Sequence, residues 1–185
     1  LQVTYESLYK GIAAVKLNAN IEDIGKAIQR YAHSERYSVV EVFCGHGIGK
    51  SFHEKPEILH FYDPLYPSVG TFQEGMVFTI EPMLNVGGSS AKVLSDGWTA
   101  VTRDRSLSAQ YEHTIGITKA GCEIFTLSPN NLGQPGISSY SINFTIGRFP
   151  NEQSPFKRFP FRLYWASQSS ARSLPSKRRK CIGIL

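Results

Sequence analysis

Apolar side chains recur at helical spacing early in the chain and at strand spacing through its middle. Leu8, Ile12 and Val15 stand at i, i+4 and i+7, one stripe of an amphipathic helix. Asn18, Ala19 and Asn20 interrupt the pattern, and Asn20 is a side chain suited to cap a following helix. Glu22 and Asp23 then fall in a first turn, where carboxylates favour the helix dipole, and Ile24, Ala27, Ile28 and Tyr31 form a second stripe. Both stripes are read as core faces. Residues 37–43 (YSVVEVF) are β-branched and aromatic and predict a strand. Residues 76–80 (MVFTI) predict a buried strand, and 98–102 and 113–118 predict two more, with turn signals at 87–90 and 95–97. Gly121 is read as the end of this series, with a short last strand at 123–127. Helices followed by an antiparallel-looking run of strands make an α+β fold.

The character changes after residue 127. Residues 128–185 are rich in Ser, Pro, Phe and Arg, lack sustained periodicity and hold one acidic residue, Glu152. The division is therefore 1–127 as a domain and 128–185 as a basic tail expected to be poorly ordered. Charge supports it: the first segment carries 11 basic and 14 acidic side chains, net −3, and the second nine and one, net +8. The basic balance is thus a property of the tail, and no nucleic-acid face is expected on the body. The run from Lys177 to Lys180 reads as a solvated terminus, and the glycosylation-like Asn143-Phe144-Thr145 as chance. No apolar run approaches the ~20 residues of a membrane helix. Cys44, Cys122 and Cys181 form no metal or redox spacing, which favours a reducing compartment.

Four of the five histidines (46, 53, 60 and 113) lie among carboxylates in the middle of the chain. In GHGIGKSFHE, glycines flank His46, which removes Cβ bulk and would let a ligand approach the backbone. In FTIEPM, Glu81 ends an apolar strand, where a buried carboxylate is costly unless paired, hydrogen-bonded or bound to a metal. In QYEHT, Glu112 stands at a strand start. One imidazole and two carboxylates make a mixed N/O set suited to Mn, Fe, Co or Zn, and such sets serve two-metal hydrolases. Singly, each residue also has an ordinary structural reading, as a loop histidine or a solvated strand glutamate.

Taken together and in order, GHGIGKSFHEKP, EGMVFTIEPM and DGWTAVTRDRSLSAQYEHTI resemble the C-terminal half of the type I methionine aminopeptidases, in their bacterial and organellar forms, from about residue 8 to 127. The resemblance implies half of a pita-bread fold and an enzyme that removes the initiator methionine from nascent chains through two divalent ions. It implies His46, Glu81 and Glu112 as metal ligands, Glu81 also as the proton carrier, His53 as the group on the substrate peptide and its oxyanion, and Phe52 and Trp98 as the lining of the methionine pocket. It further implies a monomer, nascent N-termini and the ribosome as partners, no membrane, and a cytoplasmic setting, or an organellar one if a transit segment precedes.

The family's two aspartate ligands have no counterpart. Asp23, Asp63, Asp96 and Asp104 lack the required spacing, and Asp96 and Asp104 read as turn residues. The chain is therefore expected to be part of a longer enzyme and inactive alone. The alternatives are a catalytically silent peptide-binding module and a proline-specific relative, the latter disfavoured by SAQYEHT.

Overall fold

In the computed structural model, the described residues are 1–128 and 134–135, with the backbone of Lys180–Cys181. Helix α1 (Gln2–Ala13) and helix α2 (Glu22–Ser34) form where the stripes lie. Val15 lies beyond the end of α1, yet its amide bonds the Ile12 carbonyl and its side chain stays in the core. The cap of α2 differs from expectation. Ile21 is the N-cap residue and already has helical dihedrals, whereas Asn20 is engaged in a bridge with Thr71 and makes no side-chain cap. Burial of Ile21 in the core wins over the capping preference of Asn20.

Strands β1 (Ser38–Val39) and β2 (Phe43–Gly47) replace the single strand expected over 37–43. They serve different sheets: β1 joins β5 (Met83–Asn85) and β8 (Ser108–Gln110), while β2 joins β3 (Glu54–Ile58) and β4 (Val77–Ile80). The chain must change sheets at residues 40–42, so the β-branched run cannot stay straight. The larger sheet runs β10–β9–β4–β2–β11, with β3 also on β2. Here β9 is His113–Thr118, β10 is Gly121–Ile124 and β11 is Lys180–Cys181. Gly121 therefore opens the last hairpin strand of the domain rather than ending the series. A separate hairpin pairs β6 (Ala91–Val93) with β7 (Ala100–Thr102). Trp98 and Thr99, expected in that strand, are instead held in the turn by Asp96. The expectation of a tail without order falls outside the described residues except at Lys180–Cys181, whose backbone pairs parallel to Phe43–Cys44.

Phe78 and Ile80 of β4, Ile115 of β9, Ile58 of β3 and Phe72 are fully buried beneath Leu8, Ile24 and Ile28 of the helices. Phe72 stacks on Phe78 at 5.3 Å. Each such side chain contributes about 1.5–3 kcal/mol by leaving water. No helix among the described residues is long and apolar enough to cross a membrane.

Gly25 lets α2 lie directly on the 59–61 segment: a Cβ there would stand 2.4 Å from the Phe61 carbonyl oxygen. Gly25→Ala is expected to destabilise the chain by about 1–3 kcal/mol net, although alanine favours helix by about 1 kcal/mol. A urea melt of the variant checks this, and a gain in stability would show that α2 does not sit this close.

Candidate metal centre

Strand β4 carries the site. Residues i and i+2 share a face of a strand, so Thr79 and the Glu81 that follows β4 point the same way. Facing them on β2 is His46, fully buried. The Thr79 hydroxyl accepts the His46 amide at 3.0 Å and donates to Glu81 Oε1 at 2.8 Å. Gln110 Nε2 donates to the other oxygen, Oε2, at 3.3 Å. The Glu81 carboxylate is thus oriented from both sides.

The His46 ring has a defined tautomer. Its Nδ1 lies 3.0 Å from the Gly47 carbonyl, which can only accept, so Nδ1 carries the proton and Nε2 carries a lone pair. That nitrogen is buried, makes no hydrogen bond and stands 3.8 Å from Glu81 Oε1. Burial, aided by the His53 imidazole, holds His46 below the ordinary histidine range, against the opposing backbone of Gly47 and Phe52. A neutral imidazole with a free lone pair beside a carboxylate is half of a metal ligand set.

Glu112 enters through strand register. Val77–Ile80 pair with Gly116–His113, and Met83–Asn85 pair with Gln110–Ser108, in one unbroken offset across the interruption at Glu81–Pro82. Glu81 and Glu112 therefore face each other on adjacent strands, and both carboxylate oxygens of Glu112 are buried. Directly opposed like charges repel unless a proton or cation lies between them. The donor chemistry and the orphan Nε2 together fit a divalent cation. Among the described residues no three His, Cys, Asp or Glu side chains converge closely enough to enclose one, so His46, Glu81 and Glu112 make a partial set.

Phe52 and His53 cover this set from the outer side. The His53 ring lies 4.2 Å and the Phe52 ring 5.2 Å from that of His46, with 4.7 Å between the two. Their loop is pinned by Glu54, whose Oε1 accepts the Ser51 amide at 2.6 Å. Partial burial lowers the His53 pKa as well. Trp98 stands on a different element, the β6–β7 turn, and is 39% exposed.

The glycines beside His46 have another use than the one read from the sequence. A Cβ on Gly45 would lie 2.4 Å from the Thr79 carbonyl oxygen, and one on Gly47 would lie 2.3 Å from that of Lys55. They admit neighbouring strands, and His46 lies in a strand, not a loop. Asp96 and Asp104 are turn residues as expected. Asp104 accepts the Ser106 and Gly88 amides, which hold its carboxyl down at about 2. Thr79, Gln110 and His60 were not singled out for the site. The i, i+2 spacing of Thr79 with Glu81 and of Gln110 with Glu112 was the available signal for two of them; His60 is placed only by the fold. A cavity of about 460 Å³ between β5–β8 and the β6–β7 hairpin contains none of the candidate ligands.

The methionine aminopeptidase of Salmonella typhimurium is 57% identical over 126 residues, covering 68% of this chain and 47% of the relative. That of Rickettsia prowazekii is 54% identical over 140 residues, covering 73% and 52%. The crystal structure of the Rickettsia prowazekii methionine aminopeptidase superposes with a TM-score of 0.64 at 54% identity, covering 68% of this chain and 50% of that one. The chain spans about half the length of the curated relatives it matches, and it carries half of a pita-bread fold. A family profile matches residues 1–119, which take in both helices and strands β1 to β9, and the chain accordingly belongs to metallopeptidase family M24.

Proposed function

We propose that this chain forms part of a methionyl aminopeptidase that removes the initiator methionine from new polypeptides, with His46, Glu81 and Glu112 as ligands to divalent cations. The observation that carries the reading is His46 Nε2, buried, without a hydrogen bond and 3.8 Å from Glu81 Oε1. The names and high identity of the Salmonella and Rickettsia relatives support the substrate. The N/O donor set suits Co, Mn, Fe or Zn, and a bound cation supplies Lewis acidity toward the peptide carbonyl. Three ligands from one chain are fewer than a pair of ions needs, which supports reading this chain as one part of a dinuclear site.

The residues divide the remaining work. Glu81, held by Thr79 and Gln110, takes a proton from the attacking water and returns it to the leaving amine. His53, neutral at pH 7, keeps one N–H to donate to the substrate peptide and its developing oxyanion. Phe52 and Trp98 offer apolar faces to a flexible thioether. The substrates are nascent N-termini, met at the ribosome in the cytoplasm or an organelle. A silent peptide-binding module is the second reading, favoured by the lack of three converging ligands among the described residues.

Visible absorption during Co(II) titration, with mass spectrometry of a Met-Ala-Ser peptide, tests this. The chain is expected to bind Co(II), and His46→Ala to weaken binding at least about tenfold. Co(II) binding without hydrolysis by this chain alone is the expected result for one part of a dinuclear enzyme, peptide binding that does not depend on Co(II) supports the module instead, and no Co(II) binding overturns the ligand assignment.

A further inference from the structure

His60 is 2% exposed and has no part in the chemistry above. It lies just past β3, and its Nε2 accepts the backbone amide of Glu81 at 3.0 Å. We propose that His60 is a positioning residue that fixes Glu81, an inference that rests on the reading of Glu81 as a ligand.

The argument begins with the strand. On the β2 side of β4, the Val77 carbonyl accepts the Ile48 amide. Four residues on, Glu81 presents its own amide toward that side. A ring nitrogen from just past the end of β3 accepts it. Pro82 has no N–H, so the Glu81 amide is the last backbone donor before the chain passes to β5. A buried amide without an acceptor is strongly disfavoured, so an acceptor is required at this point. His60 meets that need with a rigid ring anchored outside β4. An acceptor role for Nε2 also fixes the ring as the neutral Nδ1–H tautomer, which agrees with a fully buried imidazole.

The consequence is geometric. Thr79 and Gln110 hold the two carboxylate oxygens, and His60 holds the backbone from which the carboxylate hangs. Without the third point the buried Glu81 amide loses its His60 acceptor, the peptide at 81 is held less firmly between Ile80 and Pro82, and the other two bonds act on a looser base. A side chain that merely filled volume would be replaceable by an apolar one of similar size. His60 is not, because its ring nitrogen is the acceptor.

The test compares the full 185-residue chain with His60→Leu, which removes the acceptor, and His60→Gln, which returns one. In the wild type, NMR is expected to detect a through-bond ¹⁵N–¹⁵N coupling between the Glu81 amide and the His60 ring. Amide exchange at Glu81 is expected to rise at least about tenfold relative to Thr79 and Ile80 in His60→Leu and to recover in His60→Gln. Co(II) affinity, read by visible absorption, is expected to fall about 10–100-fold in His60→Leu and to recover in His60→Gln. Absence of the coupling, or Glu81 exchange unchanged in His60→Leu, overturns the proposal, as does Co(II) affinity unchanged in that variant. If the wild type shows the coupling and the exchange pattern but binds no Co(II), the ligand reading fails while the anchoring of Glu81 by His60 stands. Should His60→Leu not fold, the coupling in the wild type and the exchange in His60→Gln decide the matter.

Discussion

Gly45→Ala is expected to cost about 2–4 kcal/mol of stability and to abolish Co(II) binding, the largest effect foreseen for one added methyl group. The new Cβ would lie 2.4 Å from the Thr79 carbonyl oxygen and 3.1 Å from the Thr79 hydroxyl. The first contact is with backbone, which cannot rotate aside, so β2 and β4 must separate. The second contact falls on the hydroxyl that joins the His46 amide to the Glu81 carboxylate. Packing damage and loss of site geometry therefore share one cause. Gly88→Ala is the control: its nearest atom would be 3.8 Å away, an ordinary contact. Urea melts and Co(II) titrations of both variants measure the effect. A Gly45→Ala chain within about 0.5 kcal/mol of wild type would mean that the β2–β4 approach is looser than described.

Much of the fold was legible because it rests on periodicity. The stripes of Leu8–Ile12 and Ile24–Ile28 became buried faces of α1 and α2, and 76–80 and 113–118 became the adjacent central strands β4 and β9. What periodicity did not reveal is where the chain changes sheet. The split at residues 40–42 and the short strands β3, β5, β6 and β8 are set by tertiary pairing, and three-residue strands such as β5, β6 and β8 carry too little alternation to be read. The same division runs through the site. His46, Glu81 and Glu112 stood out by residue type and by likeness to a family, but their partners did not. Thr79 looked like any strand threonine until β2 brought the His46 amide to it. His60 followed no pattern at all, since its role depends on β3 ending beside Glu81.

Glu112→Gln is expected to move stability and metal binding in opposite directions. Glu81 and Glu112 are register-opposed on adjacent antiparallel strands, and their carboxylates are buried. Side chains so placed have Cβ atoms about 4.5–5.5 Å apart. Without a cation, two buried carboxylates at that separation repel or share a proton, and either costs free energy. Glutamine keeps the shape and removes one charge. In the presence of a chelator the variant is expected to be more stable than wild type by about 1 kcal/mol, read as a higher melting temperature. On the proposed ligand assignment, Co(II) affinity is expected to fall by about 100-fold or more, because a neutral amide oxygen replaces a charged carboxylate oxygen. Excess Co(II) should therefore reverse the order of stability, since only the wild type gains appreciable binding free energy from it. A variant less stable than wild type in chelator would show that the two carboxylates do not oppose each other in the metal-free chain. Unchanged Co(II) affinity would remove Glu112 from the ligand set. The reversal itself is the diagnostic result, because a residue that served only the fold would shift both melting curves in the same direction.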